Sequence, residues 1–488
     1  MGLSSRRRFL AYAGLLGAGA ALAYFGLMNF DRGSSGQKTV GSSYSPPANA
    51  TPDYKEFMTW LASVSKPYAG QTVNISLEDE STPRALQNLD LDFLNATGIN
   101  DSYDLKPYFL HLTDITLMAN EKAPTYDVFS VDNQDMAYFK DDIISPTQLA
   151  EKYPDLTYEK FSASDFQPIA WSLLAQYPQG PYSSPGASGD VLFIPLDMTT
   201  MLQYYRKDLF SASSMTPATT WDQYVSNAKA LTDFANRSNP YGTVNETTPD
   251  ISVVYEFLNF LASYGGKLWN FDGTQLTSAL QSDSALSALE TYISLKPFSD
   301  PSSYTYSWSD VTADLERGVA AEGMLWGDFA HFMDDGTRSL VVGNMQYAPN
   351  PAGPAGSFST YAGNGIGVSR FSQSPQAAWL WLQWASARGT QEAMALGPLQ
   401  PFPSRVGVID EPAVRDAIGG DAYRSLRVIK QIWDAEQIAS FIAFPKWFQA
   451  LDPIAAHLNN AWLREETPSV AMVNAVQKIE TLGSLTFD

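Results

Sequence analysis

The chain has 488 residues, a formal net charge of -21 and no cysteine. The missing thiols exclude disulfides, thiolate metal sites and a cysteine-borne lipid anchor, and the acidic balance argues against nucleic acid, which needs basic stripes. Only 17% of residues are charged, so the acidity reflects scarce Lys and Arg rather than dense carboxylates, a composition suited to a surface facing acid.

The first segment is an address. Ser5-Arg6-Arg7-Arg8-Phe9-Leu10 precedes an uncharged Ala/Gly/Leu-rich run from Ala11 to Met28, the pattern of a twin-arginine export signal. Residues 1–30 are expected either to be cleaved after Ala21-Leu22-Ala23 or to stay as a membrane anchor, since the run is about as long as a bilayer span of about 17 to 25 residues. Residues 31–52, rich in Ser, Gly and Pro, read as a flexible stalk. Asn-x-Ser/Thr sequons at Asn49, Asn74, Asn95, Asn100, Asn236 and Asn245 are consistent with a place outside the cell.

The chain beyond the stalk is too long for one ordinary core, so two domains are expected. Thr72–Leu77 reads as a strand that stops at Glu78-Asp79-Glu80, and Ser81-Thr82-Pro83 then opens a helix. Tyr126–Val131 is a second strand, tipped by Asp132-Asn133-Gln134, and Val191–Ile194 a third, tipped by Pro195-Leu196-Asp197. Apolar residues three and four apart predict helices over Trp221–Ala235, Ile251–Tyr264, Ser278–Leu295, Ser309–Gly318, Pro375–Ser386 and Tyr423–Ile438. Strands that end in polar tips and feed helices define an α/β class, in which ligands sit at the carboxyl ends of strands.

The block Leu192–Tyr224 delivers aromatic and polar groups without any catalytic motif. Within it, Pro195, Tyr204-Tyr205-Arg206-Lys207-Asp208-Leu209-Phe210 and Pro217-Ala218-Thr219-Thr220-Trp221-Asp222 resemble, in order, segments of the extracellular solute-binding proteins of ABC importers, family 1, in the cluster that binds sugars and oligosaccharides. Tyr264–Trp269 (YGGKLW), Gly318–Asp328 (GVAAEGMLWGD), Tyr361–Val368 (YAGNGIGV), Ala377–Trp384 (AAWLWLQW) and Gly397–Ser404 extend the resemblance from about Thr72 to the C-terminus. It implies a two-lobed, type II periplasmic-binding-protein-like fold, with a hinge between lobes and the ligand in the interlobe cleft. On that analogy residues 53–165 plus 327–369 form one lobe and 166–326 plus 370–488 the other. It also implies a monomer that is no enzyme and needs no cofactor. Its partners would be a carbohydrate ligand, the transmembrane permease subunits and, through an uncleaved N-terminus, the membrane.

A sugar offers paired hydroxyls, which carboxylates and amides bridge, and C–H patches on which aromatic rings lie. The candidate ligand-binding residues are therefore the strand tips Glu78, Asp79, Glu80, Asp132, Asn133, Gln134 and Asp197, with Tyr204, Trp269, Trp326, Asp328 and Asn364 from the segments that carry the resemblance. Trp221, Trp379, Trp381 and Trp384 sit on helices with apolar neighbours and are assigned to packing. Arg206 and Asp208 suit a local ion pair. His111, His331 and His457 are too far apart for metal spacing. Two alternatives stay open: an extracellular glycoside hydrolase, which needs two carboxylates facing across a cleft, and the same fold with a peptide, polyamine, metal chelate or anion as cargo.

Overall fold

A computed structural model describes residues 44–48, 50–178, 190–235, 241–399, 401–418 and 424–487. The export segment and most of the stalk lie outside the described residues, as does the sequon at Asn236. Among the described residues no helix is long and apolar enough to cross a membrane.

Strands Thr72–Glu78 (β1), Asn100–Lys106 (β2), Val128–Asp132 (β3), Ile143–Ile144 (β4), Ile194–Pro195 (β5), Thr199–Arg206 (β6), Tyr241–Val244 (β7), Ala320–Trp326 (β8), Met345–Ala348 (β9), Ser359–Ala362 (β10), Asn364–Ser369 (β11) and Ile438–Ala439 (β12) build two sheets. The first has the order β2-β1-β3-β11-β4, with β5 also paired to β11, and the second β12-β10-β6-β8-β7, with β9 also paired to β6. β1 runs parallel to both β2 and β3, while β11 returns antiparallel to β3. β1 alternates exposed and buried residues at its start and is buried from Ile75 to Glu78, as a strand covered on both faces must be. The mixed sheets with helices against them give the α/β, two-lobed architecture that the sequence implied.

Two cores fill the lobes. One gathers Tyr54, Phe57, Ile75, Leu77, Ile366, Trp379, Trp381 and Trp384 around the first sheet, and these three tryptophans are almost entirely out of solvent. The helix Pro375–Ala385 carries them, and Arg388–Ala395 closes against the N-terminal helix Pro52–Val64. A Cβ on Gly389 would lie 2.3 Å from the Tyr54 backbone, so only glycine permits that contact. Trp221 packs in the second lobe with its ring stacked on Phe260, 3.8 Å between centroids.

Strand pairing divides the chain differently from the expected boundaries. Met345–Ala362 supplies β9 and β10 to the second sheet rather than the first. Residues 375–395 belong to the core of the first sheet rather than the second lobe, and Ile194–Pro195 pairs with β11 in the first. The chain crosses between sheets at three adjacent places. Leu196–Met198 separates β5 from β6, Gly363 alone separates β10 from β11, and Pro403 bridges to Asp197 on the way back. A Cβ on Gly363 would meet the Asp197 carbonyl oxygen at 2.7 Å, so the first two crossings touch because position 363 has no side chain.

Several predicted element ends shift for local reasons. The helix expected from Ser278 begins at Asp283, because Leu276–Ser278 pairs with Trp269–Phe271 and Ser282 supplies the N-cap. The helix expected to reach Ile438 stops at Asp434, where Glu436 takes a left-handed conformation (φ 54°) just before β12. The Tyr204-Tyr205 region is strand, not turn: it ends β6, and the Arg206 guanidinium donates to Asp208 at 2.7 and 2.8 Å where the next helix begins. Asn245 is fully buried and donates its amide to Glu256, so it is no glycan acceptor in this fold.

Candidate ligand-binding site

Between the two sheets lies a narrow crevice, partly open to solvent, with a cavity volume of about 30 Å³. The first lobe brings the ends of β1 and β3 to it. Glu78 is the last residue of β1, with its N–H held by the Ser130 hydroxyl at 3.3 Å, and Glu80 lies two residues further on. Asp132 ends β3 and accepts from Gln134 Nε2 at 2.9 Å and Tyr255 Oη at 3.4 Å. The second lobe brings Thr199 from the start of β6, Trp326 from the end of β8, then Asp328 and Phe329, and Ala362 from the end of β10. Thr199 Oγ1 donates to Asp328 at 2.8 Å. Strand ends converge here because apolar strand interiors fill the cores and leave their polar tips at the sheet edge.

The crossings supply two further polar groups beside the crevice. Asn364 donates its backbone N–H to Asp197 Oδ1 at 2.8 Å and its side-chain amide to Glu80 at 3.2 Å. Among the described residues, Asn364 Oδ1 has no hydrogen-bond partner although the residue is buried, and Asp197 Oδ2 has the Thr82 side chain beside it.

Rings form the rest of the lining. Tyr255, on the buried helix Ile251–Ser263, meets Trp326 edge to face, with centroids 4.8 Å apart and planes at 89°. Trp308 opens the helix Trp308–Arg317, half-buried, and approaches both Tyr255 and Tyr108. Tyr108 starts the helix Tyr108–Glu121 and donates to Asp135 at 3.1 Å.

Electrostatically the crevice is one-sided. Burial first, and then the neighbouring acids, hold Glu78 and Glu80 well above the usual carboxylate range. Burial likewise pushes Asp132 up to about 7 and Asp197 and Asp328 up to about 6. Among the described residues no Lys or Arg lines the crevice, and no group of three or more His, Asp or Glu is arranged to hold a metal ion.

Of the candidate residues, Glu78, Glu80, Asp132, Trp326 and Asp328 line the crevice together, while Asp197, Asn364 and Gln134 stand behind that lining and hold it. The other four are drawn elsewhere. Asp79 forms a bidentate pair with Arg84, and Asn133 turns to Ser440 Oγ and the Phe441 carbonyl. Tyr204 is fully buried, its hydroxyl on the Trp326 carbonyl and its ring edge-on to Tyr347. Trp269 packs edge-on against Phe444 in a hairpin of the second lobe. Sequence reasoning missed Tyr108, Tyr255, Trp308, Phe329 and Ala362, while Thr199 lies in the strand tip around Asp197 to Met201 from which the sequence leads one to expect ligand contact. A signal existed for one of those missed: Tyr255, Glu256 and Asn259 interrupt an otherwise apolar helix.

The family model described as bacterial extracellular solute-binding protein matches residues 104–392. An erythritol/L-threitol-binding protein of Mycolicibacterium smegmatis is 24% identical over 411 residues, which is 82% of this chain and 84% of that protein. Among solved structures, a ribitol complex of an ABC transporter solute-binding protein from Agrobacterium radiobacter superposes with a TM-score of 0.71 at 21% identity, covering 86% of this chain and all of that one. The maltose-bound MalE3 of T. maritima does so with a TM-score of 0.71 at 19% identity, covering 85% of this chain and all of that one. Two sheets joined by three adjacent crossings, a crevice at the strand ends between them, and a family match over more than half its length place this chain in the bacterial extracellular solute-binding protein family.

Proposed function

We propose that the protein captures a polyhydroxylated solute, a sugar or sugar alcohol, in the interlobe crevice and presents it to the transmembrane subunits of an ABC importer. The observation that carries this reading is the lining itself, in which carboxyl groups from both lobes face Tyr255, Trp308 and Trp326. Hydroxyls donate to the acids, and ring faces cover the C–H surface between them. The erythritol/L-threitol, ribitol and maltose named for the relatives are of this class. The lobes are assigned to residues 52–196 plus 364–399, and 199–362 plus 402–487. The protein acts as a monomer, exported by its twin-arginine segment and held near the membrane if that segment is retained. Titration calorimetry against a panel of tetritols, pentitols, hexitols and malto-oligosaccharides, with chromatography of the mixture afterwards, tests the reading. Saturable binding at micromolar affinity with the solute unchanged is expected. Hydrolysis would turn the assignment toward a glycosidase, and a panel without binders would overturn it.

A further inference from the structure

Resting on that reading of the crevice, we propose that its solute carries a protonated amine as well as hydroxyls: an amino sugar, an aminocyclitol or an amino-alditol. The first ground is the partner set of the acids. Asp132 is held by Gln134 and Tyr255, Asp135 by Tyr108, Asp328 by Thr199, and Glu80 and Asp197 by Asn364. Every one of these donors is neutral. Elsewhere the chain supplies buried acids with a cation: Asp314 pairs with Arg317, Glu316 with Arg338, and Glu392 with Arg388. Glu246, Glu256 and Glu322 also lack one, but they are sealed inside the second lobe, and Asp127 in the first lobe is held by the neutral donors Asn74 and Ser372. In the crevice a solute reaches Glu78, Glu80, Asp132 and Asp328 and can bring the charge itself.

The second ground is Glu78. It is 8% exposed and lines the crevice, and among the described residues its carboxyl has no hydrogen bond or ion pair. A carboxyl so placed is open to a donor that enters from the crevice. An ammonium offers three donors and no acceptor, which matches a wall of acceptors better than a hydroxyl does, since each hydroxyl brings lone pairs that need donors of their own.

The third ground is the aromatic corner. Trp326 and Tyr255 stand at 89° to each other, with Trp308 beside Tyr255. Indole and phenol faces attract a cation through the ring quadrupole, and Trp does so best. A metal ion is not the implied cation, because the acids are not arranged to hold one among the described residues.

The test is calorimetry on the whole exported domain at pH 7 and 150 mM NaCl with matched pairs that differ by hydroxyl against ammonium: glucose and glucosamine, sorbitol and 1-amino-1-deoxysorbitol, and inositol and an aminoinositol. In the pair that fits best, the amine should bind at least about tenfold tighter, and Glu78→Gln should shrink that ratio while melting like wild type. The wild-type comparison stands even if the variant misfolds. Neutral members that bind as tightly as their amines overturn this inference and leave sugar capture intact. Spermidine binding as tightly as the best amine also overturns it, because hydroxyls would then count for nothing. No binding by either member of any pair overturns both readings.

Discussion

Replacing Glu322 by Gln should favour the fold more at neutral pH than in acid. Glu322 lies in β8 between β6 and β7, fully buried, with Oε2 accepting from Gln203 Nε2 at 3.0 Å and Oε1 without a partner. Burial raises its carboxyl well above the ordinary 4.5. A raised acid contributes stability that is fully present below the unfolded value and is lost as pH rises toward the folded one. Above the unfolded value the unfolded chain releases this proton and folding must take it back, at about 1.36 kcal/mol for each pH unit over which the folded group keeps it. At pH 4 that cost nearly vanishes. Gln accepts from Gln203 as before and needs no proton, though its amide hydrogens meet no acceptor where Oε1 lay, so Glu322→Gln should be more favourable relative to wild type at pH 7 than at pH 4, by at least about 1 kcal/mol. Urea unfolding of both proteins at the two pH values measures this. A stability difference between variant and wild type that is the same at both pH values would show that the fold does not raise the Glu322 carboxyl and would refute the reasoning.

The same sign applies to Glu256, pushed up by burial to about 8, and Asp250, pushed up to about 6, so wild-type Tm should fall between pH 5 and 8. A flat Tm across that window would contradict it. Asp132→Ala and Asp328→Ala should each weaken solute binding by about 1 to 3 kcal/mol, the range for removing a partner from a buried polar group; wild-type affinity in both, by calorimetry, would mislocate the site. Gly242→Ala puts a Cβ 1.8 Å from the Ala228 carbonyl oxygen and must push β7 from the helix Trp221–Ala235. A loss of about 1 to 3 kcal/mol is expected, read from thermal melts. Arg405, 2% exposed, bonds Asp165 at 2.8 Å and covers the Phe166 ring. Arg405→Ala should cost about 3 kcal/mol in urea unfolding, the low end for breaking a buried pair because Asp165 keeps some water.

The acidic half of the crevice was legible in the sequence and, Trp326 apart, the aromatic half was not, for a physical reason. Glu78 and Asp132 stand where apolar strands stop, a local pattern that one-dimensional reading detects, while Trp326 and Asp328 lie in a segment that carries the family resemblance. Tyr108, Tyr255 and Trp308 come from helices, where an aromatic residue at core spacing looks the same whether it faces a core or the other lobe. Tyr204 and Trp269 misled for the converse reason: each lies in a segment of familiar appearance, yet each is consumed by packing against Tyr347 or Phe444. The lobe boundaries slipped at Tyr361–Val368, which reads as one glycine-rich strand. In space it is two, β10 and β11 in different sheets, and the change occurs at the single residue Gly363.

Those adjacent crossings also set how solute contacts translate into motion. Asp197 and Asn364 lie on the pivot, so their distance to a bound molecule changes little as the lobes turn. Behind the lining, they keep Glu80 in place in both arrangements and shift neither. Only contacts between groups on opposite lobes, such as Tyr108 against Trp308, are gained on closing and lost on opening. A permease that prised the lobes apart would therefore strip those contacts first, while the acid held at the pivot stayed in position.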